Sequence, residues 1–335
     1  MIDPLVSINM ITYNQAPFIA QAIEGVLQQK TNFSFELVIG EDCSTDGTRK
    51  IVFDYQGKYP DIVRVITSNK NVGMKKNSCR TMKACRGKYM AFCEGDDYWQ
   101  HPFKLQKQVD YLESHPECGL VYSSYDVYHV RSKKVINDFI RYRKWDMPKK
   151  VSLADFVENK AEITLGLLTC TVMIRRSLYE KVFASDPYLH QSDKFLMGDT
   201  QLWAEIATMA DLQYIPESLA THSITEESAT RSKDIKKELR FDISASELMI
   251  YLCNKYNFPP SIRNEHEENR CKSSLRLAFH ARSAKLADEV RRMKRTFTWK
   301  EWLRYYGARN LAFHCLYRVA ALFSNLFRKE HSQWM

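Results

Sequence analysis

The sequence predicts an α/β fold in which a mostly parallel sheet is flanked by helices. Short β-prone apolar runs alternate with segments of helical periodicity of about 12 residues, which is the pattern of βαβ units. Polar residues follow several of the apolar runs at the point where each strand would end. The chain of 335 residues is also long enough for one large α/β domain with an extension.

The elements of this sheet follow in order along the first half of the chain. The predicted strands comprise residues 5–12, 35–40, 62–66, 88–93 and 119–122. Helical spacing of apolar residues predicts helices that begin near Pro17, near Thr48, at Asn71 and near Pro102. Ligands of parallel sheets bind beyond the carboxyl ends of the strands, so the residues at these ends are the candidate site.

An acidic cluster follows the fourth predicted strand. Glu94, Asp96 and Asp97 place three carboxylates within four residues. Such a cluster suits Mg²⁺ or Mn²⁺ that bridges a substrate diphosphate. From these residues alone, an acidic turn that caps the next helix is an equal alternative.

Two other strand ends carry polar groups, namely Tyr13-Asn14 and Glu41-Asp42. Three such ends at one edge of a sheet favour a nucleotide-type site. No G-x-G-x-x-G motif follows the first strand, and no G-x-x-x-x-G-K-[ST] motif occurs in the sequence. Dinucleotide-dependent dehydrogenases and P-loop enzymes are therefore disfavoured.

Cysteine usage and the N-terminal sequence predict a cytoplasmic location. The nine cysteines are scattered and include no C-x-x-C pair, which is typical of reduced thiols. The first residues lack the features of a signal peptide. No apolar run reaches the length of roughly 20 residues that a membrane-spanning helix needs.

Positive charge is concentrated in the last third of the chain. Residues 1–225 hold 27 Lys and Arg against 27 Asp and Glu, whereas residues 226–335 hold 22 against 13. Residues 299–327 place Trp and Phe on one helical face between basic residues, which predicts docking to an anionic membrane surface. Packing of this tail on the rest of the protein or on another subunit is the alternative. Nucleic acid is not an expected partner, because no binding motif accompanies the charge.

Four ordered segments resemble the motifs of family 2 glycosyltransferases, in particular the bacterial branch that builds capsule, O-antigen and lipopolysaccharide sugars. The segments are residues 6–14, 41–48, 71–73 and 87–97, and the likeness extends over residues 5–230. It implies the GT-A fold, a Rossmann-like α/β architecture, and inverting sugar transfer from a nucleotide-sugar donor. The motifs are specific for the family and much less so for the sugar.

The resemblance implies roles for the residues that contact the donor. Tyr13 is expected to contact the base, which is predicted to be uracil, although a packing role at the sheet end is the alternative. Glu41 stands where the family has an aspartate that reads the base, and Asp42 is expected to contact the base or ribose. Lys76 lies near the position of a family arginine that approaches the nucleotide, although an exposed helix position is an equal alternative.

The acidic cluster matches the family's D-x-D motif, with Glu94 where aspartate is commoner. Asp97 is expected to bind the metal directly, while Glu94 and Asp96 contact ribose, sugar or a metal-bound water. In the family a histidine near the end of the domain helps to bind the metal or diphosphate. Thr225 occupies its position here, so either His222 substitutes from a neighbouring position or the enzyme manages without this ligand.

Asp199 is expected to be the general base. It lies in Gly198-Asp199-Thr200-Gln201-Leu202-Trp203, which resembles the family's E-D-x-x-L-W segment with glycine in place of glutamate. Inversion requires a base on the face of the sugar opposite the diphosphate. From spacing alone, a role as helix cap is the stronger interpretation of Asp199, and the resemblance reverses that order.

The resemblance thus implies a Mg²⁺- or Mn²⁺-dependent glycosyltransferase domain at residues 1–227 and a basic helical region at residues 228–335. Its predicted partners are a nucleotide-sugar donor, a saccharide or lipid-linked acceptor and an anionic membrane surface on the inner face of the cytoplasmic membrane, with an oligomer left open. A non-catalytic protein that binds sugar nucleotides or polysaccharides is the main alternative. A nucleotidyltransferase is a weaker one, because its glycine- and lysine-rich N-terminal loop is absent.

Overall fold

A computed structural model describes residues 3–225 and 234–315 of the chain. The chain divides into two compact units, residues 1–225 and residues 226–335. The boundary predicted from the sequence, after residue 227, falls outside the described residues. The second half of the basic tail, residues 316–335, does so as well.

The first unit is built on a mixed sheet. Its strands are β1 (Val6–Thr12), β2 (Phe35–Glu41), β3 (Val63–Ile66), β4 (Tyr89–Phe92), β5 (Cys118–His129), β6 (Lys134–Ile136), β7 (Met173–Arg175) and β8 (Asp211–Ile224). The order is β3-β2-β1-β4-β7-β5-β6, with β8 also paired to β5. Strands β1 to β4 are mutually parallel, as are β5 and β8, whereas β7 runs antiparallel to both β4 and β5.

Helices cover this sheet and connect its strands. Those of the first unit are α1 (Ile19–Leu27), α2 (Thr48–Lys58), α3 (Met74–Ala84), α4 (Lys104–Ser114), α5 (Phe139–Tyr142), α6 (Leu153–Val157), α7 (Ala161–Thr164), α8 (Arg176–Ser185), α9 (Pro187–Gln191) and α10 (Thr200–Ile206). The predicted α/β class with a mostly parallel sheet is confirmed. The family resemblance also implies a strand over residues 165–174, and this expectation is wrong, because a 3₁₀ turn at Thr169–Thr171 precedes the short strand β7.

The core of the first unit lies between the parallel strands and the helices that return along them. Residues of β1 such as Ile8 and Met10 are fully buried, as are Ile19 and Ile23 of α1. Trp99 is fully buried too, and its indole Nε1 donates to the carbonyl oxygen of Cys170 at 2.9 Å. Trp99, which follows the acidic cluster in sequence, is therefore a core residue.

The second unit is helical. Its helices are α11 (Ile235–Lys255), α12 (Pro260–Ala281), α13 (Ala284–Met293) and α14 (Trp299–Arg309). Cys271, Leu275 and Ala278 of α12 pack with Val290 of α13 and Ala308 of α14. The predicted C-terminal helical extension is therefore present. Within the described residues, no helix is both long and apolar enough to cross a membrane.

A buried carboxylate ties the first strands together at the edge where they begin. Glu36 accepts a hydrogen bond from the Ser7 hydroxyl at 2.6 Å and from the Arg86 backbone at 2.9 Å. The guanidinium groups of Arg64 and Arg86 lie 3.0 and 2.9 Å from its other oxygen. Burial alone would raise the pKa of Glu36, but the bonds from Ser7 and Arg86 outweigh it and lower the pKa below 4.5.

Replacement of this carboxylate should weaken the fold in a pH-dependent way. We expect Glu36→Gln to lower the free energy of unfolding by about 2 kcal/mol at pH 7, the typical value of a charge-assisted hydrogen bond. Because the folded-state pKa is depressed, this contribution is complete above the usual carboxyl pKa near 4.5 and is lost as the pH falls further. Urea unfolding at pH 7 and at acidic pH measures it. Glu117→Gln, at an exposed glutamate, is the control; an equal effect there would contradict the assignment.

Candidate active site

Three loops meet at the edge of the sheet where β1, β2 and β4 end. The loop after β1 is joined to the loop after β2 by short hydrogen bonds. Asn14 N–H donates to the Ser44 hydroxyl at 3.0 Å, and Thr45 N–H donates to the Asn14 side-chain oxygen at 2.9 Å. The aromatic ring of Tyr13 stands beside this junction, and the residue is 47% exposed. Tyr13 therefore has an open ring at the predicted base-binding edge.

Glu41 is completely buried and holds the second loop from behind. Its Oε1 accepts from Ser44 N–H at 2.5 Å, and its Oε2 accepts from Arg49 Nε at 2.7 Å and Thr67 Oγ1 at 2.9 Å. Burial acts to raise the pKa of Glu41, but the bonds from Ser44, Arg49 and Thr67 lower it overall. Because glutamate is one methylene longer than aspartate, the Glu41 carboxylate contacts both the loop backbone at Ser44 and the side chain of Arg49.

Asp42 fixes the loop that leads into α3. Its two carboxylate oxygens accept from Val72 N–H at 2.8 Å and Gly73 N–H at 2.9 Å. Gly73 has a φ of 87°, a conformation that favours glycine. Arg80 lies 3.7 Å from the same carboxylate. Asp42 thus shapes the wall of the site through backbone contacts.

The first turn of α3 holds the segment that precedes Asp199. The Lys76 ammonium lies 3.2 Å from Asp193, and both side chains are exposed, so this pair contributes little stability. Lys75 is more buried and donates to the carbonyl oxygens of Ser192 and Phe195. Desolvation lowers the pKa of Lys75. In this structure Lys76 therefore contacts the 192–198 segment.

The acidic cluster is held against β1 by a close backbone approach. Gly95 N–H donates to the carbonyl oxygen of Ile11 at 3.0 Å. A Cβ atom at this glycine would lie 2.5 Å from Gln15 Oε1 and 2.9 Å from Thr12 Cβ. Only glycine allows the chain to pass here, and the turn that follows returns Asp97 N–H to Glu94 O at 3.1 Å.

The three carboxylates of this cluster are crowded and poorly solvated. Burial, followed by the charges of Asp97 and Asp96, raises the pKa of Glu94 well above 4.5. Burial and the Asp97 charge raise the pKa of Asp96 to about 6. The Oε2 atom of Glu94 is buried and has no hydrogen-bond partner among the described residues. A cation at this position would relieve both the repulsion and the missing contacts.

His222 lies against this cluster, as its predicted role requires. Its Nδ1 is 3.1 Å from Oδ1 and 3.3 Å from Oδ2 of Asp97. Asp97 is buried, and its Oδ1 also accepts from Ser223 N–H at 2.8 Å. Backbone bonds between Tyr98 and Thr221 fix β8 beside the acidic loop. A carboxylate on one imidazole nitrogen is the usual way in which a metal-binding histidine is oriented.

These residues fit a divalent cation that is shared with a substrate. Among the described residues, no three His, Cys, Asp or Glu side chains converge to hold a metal alone. Mg²⁺ is typically bound by one or two carboxylates together with substrate phosphates, and such a site needs no protein cage. The unpartnered Glu94 oxygen and the raised pKa of Asp96 supply the electrostatic reason for a cation here.

Asp199 carries its charge near the acidic cluster. It is the N-cap of α10, where its Oδ1 accepts from Thr200 N–H at 2.6 Å. Its Oδ2 accepts from Thr169 Oγ1 at 2.8 Å. The Asp199 charge is close enough to contribute to the raised pKa of Glu94. The cap role is therefore observed, and the bond from Thr169 fixes the second carboxylate oxygen.

The sequence profile of the family described as glycosyl transferase family 2 matches residues 7–183, which is more than half of the chain. The chain belongs to glycosyl transferase family 2. The resemblance drawn from its motifs is thereby confirmed.

Relatives of this family 2 protein include both uncharacterised and named proteins. The uncharacterized protein Rv1520 of Mycobacterium tuberculosis is 46% identical over 116 residues, 35% of this chain and 34% of the relative. The putative teichuronic acid biosynthesis glycosyltransferase TuaG of Bacillus subtilis is 32% identical over 37% of this chain and 48% of its own. The matched regions thus span half or less of these relatives. A β-1,3-glucosyltransferase of Escherichia coli, WfgD, is 26% identical over 58% of this chain and 69% of its own.

Solved structures share the fold of this family 2 protein. Staphylococcus aureus TarS in complex with UDP-GlcNAc matches with a TM-score of 0.54 and 16% identity, covering 90% of this chain and 79% of that one. The mannosyltransferase PcManGT of Pyrobaculum calidifontis, in complex with GDP-Man and Mn²⁺, matches with a TM-score of 0.52 and 16% identity over 98% and 88% of the two chains. These likenesses confirm the predicted GT-A fold.

Four residues of this family 2 site were missed by the sequence analysis. Thr169 and Ser223 contact the two key aspartates, Lys75 holds the 192–198 segment, and Arg80 donates to Glu41 O at 2.8 Å. Thr169 and Ser223 stand in β-prone runs, where hydroxyl residues are common. In the sequence, Lys75 and Arg80 have the spacing of exposed positions on a helix. Only the neighbouring segments in the fold reveal these contacts.

Proposed function

We propose that this protein is a metal-dependent inverting glycosyltransferase that moves a sugar from a nucleotide donor, UDP-linked, to a saccharide acceptor in the synthesis of a cell-surface polysaccharide or lipopolysaccharide. The observation that carries the proposal is that Asp199, held by Thr169, lies close enough for its charge to act on Glu94 of the acidic cluster. A general base near a diphosphate-binding cluster suits inversion by a single displacement.

The names of the relatives support the choice of substrates. WfgD is named as a transferase from UDP-Glc to α-D-GlcNAc-diphosphoundecaprenol, and TuaG as an enzyme of teichuronic acid biosynthesis. Both substrates of WfgD carry a diphosphate. By extension, we propose a UDP-sugar donor and a lipid-linked saccharide acceptor for this protein.

The donor half of the site comprises Tyr13 and the two acidic regions. The open ring of Tyr13 suits contact with the base. Glu41 and Asp42 hold the loops around the nucleoside through their backbone contacts, and Lys76 lies at the entrance of α3 beside the 192–198 segment. Glu94 faces the donor sugar or ribose from the buried side of the cluster.

The metal-binding group in this proposal is Asp96 together with the Asp97–His222 pair. Asp97 was expected to bind the metal directly, but its Oδ1 already accepts from Ser223 and His222, which favours an orienting role. A histidine whose Nδ1 donates to a carboxylate presents Nε2 as its basic nitrogen. Asp96 and His222 would hold Mg²⁺ or Mn²⁺, which would supply positive charge for the leaving diphosphate.

Asp199 removes the proton of the acceptor hydroxyl. Its Oδ1 accepts from Thr200 N–H at 2.6 Å and from Thr200 Oγ1 at 3.3 Å, whereas its Oδ2 accepts from Thr169 Oγ1 at 2.8 Å and keeps a second lone pair for the incoming hydroxyl. These bonds fix the direction of the carboxylate. A base that is already oriented avoids the cost of ordering it during the reaction.

Replacement of Asp199 should strongly lower the rate of sugar transfer without weakening the binding of the nucleotide. We expect Asp199→Asn to lower the rate of UDP release from a UDP-sugar by about 10²- to 10⁴-fold, the usual contribution of a general base, while UDP binding is kept. Thr169→Val, which removes only the orienting bond, should have a smaller effect. Steady-state kinetics and calorimetric titration with UDP measure the two properties. Equal turnover of Asp199→Asn and wild type would refute the assignment; UDP binding without turnover in wild type would favour the non-catalytic alternative.

Metal binding should depend on the ionisation of Asp96. Because burial raises its pKa to about 6, protonation should compete with Mn²⁺ as the pH falls through 6, and affinity should decrease below that pH. We expect Asp96→Asn to weaken Mn²⁺ binding about tenfold at pH 7.5 and to flatten the pH dependence, which corresponds to a loss of about 1.4 kcal/mol. Titration with Mn²⁺ in the presence of UDP measures both effects. Asp193→Asn is the control; an unchanged affinity in Asp96→Asn would remove this residue from the metal site.

For the second unit, we propose peripheral contact with the anionic inner face of the cytoplasmic membrane. Arg291 stacks on the rings of Phe297 and Trp302 at 5.3 and 5.1 Å, so Trp302 packs within the unit. Trp299 is 67% exposed and Tyr306 is 45% exposed. These two aromatic side chains, beside the basic residues of α14, are suited to the membrane interface.

Trp299 provides a direct test of this contact. We expect Trp299→Ser to weaken binding to vesicles of phosphatidylglycerol about tenfold, because an aromatic side chain gains roughly 1.5 kcal/mol when it enters the interface. Co-sedimentation with vesicles measures the change. Tyr188→Ser, at an aromatic residue of the first unit that is 50% exposed, is the matched control. Unchanged sedimentation of Trp299→Ser would reject docking through this face.

A further inference from the structure

A strongly cationic surface lies in the first unit, outside the site described above. Residues 131–144 carry six Lys or Arg and a single acidic residue, Asp138. All six cationic side chains are exposed. We call this set the cationic surface: Arg131, Lys133, Lys134, Arg141, Arg143 and Lys144.

The backbone beneath the cationic surface is well anchored. Strand β6 pairs with β5, and Asp138 N–H donates to Asp126 Oδ1 at 2.8 Å. The Asp138 carboxylate accepts from the Ser124 hydroxyl and caps α5 through Arg141 N–H. The only acidic side chain of the segment is thus engaged in holding the backbone, and the surrounding positive charge is not neutralised locally.

Within the part of the chain that the structure describes, none of these six cations forms an ion pair. The Arg143 guanidinium instead lies over two aromatic rings, 5.1 Å from the centroid of Trp145 and 5.9 Å from that of Phe139. Stacking on aromatic rings restricts the motion of a guanidinium group and leaves the N–H groups at its edge available as donors. Such a group is preorganised to donate two parallel hydrogen bonds to a phosphate.

The cationic surface adjoins the acceptor side of the active site. The Tyr125 hydroxyl donates to Leu165 O at 2.6 Å, and Met147 Cε lies 2.8 Å from the position that a Cβ on Gly166 would take. Leu168 packs on the same aromatic cluster. The next residue is Thr169, which holds Asp199. The segment that carries the cations therefore rests directly on the segment that positions the base.

We propose that the cationic surface binds the diphosphate of a lipid-linked saccharide acceptor. This inference rests on the proposed function and adds the site that recognises the acceptor. The stacked guanidinium of Arg143, together with the neighbouring exposed cations, would select a phosphate-bearing acceptor over a neutral saccharide. Tyr142 and Leu165, 64% and 50% exposed, offer apolar contacts beside the cations for a sugar face or the first part of the lipid.

The test measures diphosphate binding with the donor site already occupied. The full-length chain is saturated with UDP and then titrated calorimetrically with hexyl diphosphate, or with hexyl glucoside as the neutral ligand of equal chain length. The test variant combines Arg141→Gln, Arg143→Gln and Lys144→Gln. The matched variant combines Lys30→Gln, Lys58→Gln and Lys83→Gln, exposed residues near the C-terminal ends of α1, α2 and α3 at the opposite edge of the sheet.

We expect the test variant to bind hexyl diphosphate at least about tenfold more weakly than wild type, a change of about 1.4 kcal/mol. The matched variant should bind it as wild type does, hexyl glucoside should not distinguish the three proteins, and UDP-sugar hydrolysis should be unchanged in the test variant. Absence of hexyl diphosphate binding in wild type, or equal weakening in both variants, would overturn the proposal.

Two further results separate this inference from its alternatives. If the test variant loses binding to phosphatidylglycerol vesicles but keeps hexyl diphosphate, the surface contacts lipid headgroups and the proposal is wrong. Failure of the proposed function has a different signature, which is wild-type protein that releases no UDP from UDP-sugars. Binding of hexyl diphosphate to the cationic surface in such a protein would still support an anion site there.

Discussion

The mutual repulsion of Glu94, Asp96 and Asp97 is the constraint on which the arrangement of this site depends. Burial and like charge raise the pKa of Glu94 and Asp96, so the fold holds these groups in an unfavourable state. It does so through backbone contacts on two sides. Gly95 fixes the cluster to β1, and Ser223 N–H fixes Asp97 to β8. The result is a concentrated negative field that a divalent cation can neutralise.

The topology of the sheet explains why segments that are distant in sequence meet. The parallel strands β1, β2 and β4 end at one edge and place the loops with Tyr13, Glu41 and the acidic cluster there. Antiparallel β7 then inserts between β4 and β5 and brings the turn with Thr169 to the same edge. Strand β8, parallel to β5, returns His222 to the cluster. Neither Asp199 nor His222 is close to the acidic residues in sequence, yet the strand order brings both near them.

The sequence allowed the fold class and the family to be predicted, because these depend on local periodicity and ordered motifs. The structure places His222 against Asp97 and the charges of Asp96, Asp97 and Asp199 near Glu94, and the roles of these residues stay predictions. The hydrogen-bond partners of these side chains could not be predicted, because they are residues distant in sequence, such as Ser223 for Asp97 and Thr169 for Asp199. The 165–174 segment forms a strand only at its end, because Thr171 N–H and Val172 N–H close a 3₁₀ turn on Leu168 O and Thr169 O, a feature that a short apolar run does not reveal.

Net charge over residues 1–225 is zero, and this balance conceals a separation that the fold creates. In the proposed function the carboxylates of residues 94–97 serve the donor, whereas the unpaired cations of residues 131–144 adjoin the segment that holds Asp199. A donor diphosphate beside these carboxylates would need a metal ion, since the protein there repels it. An acceptor diphosphate beside the cations would need none. The opposite charges would therefore direct two diphosphate-bearing substrates to different parts of the site. The acidic part would bind a diphosphate only together with a metal ion, whereas the cationic part would bind it directly.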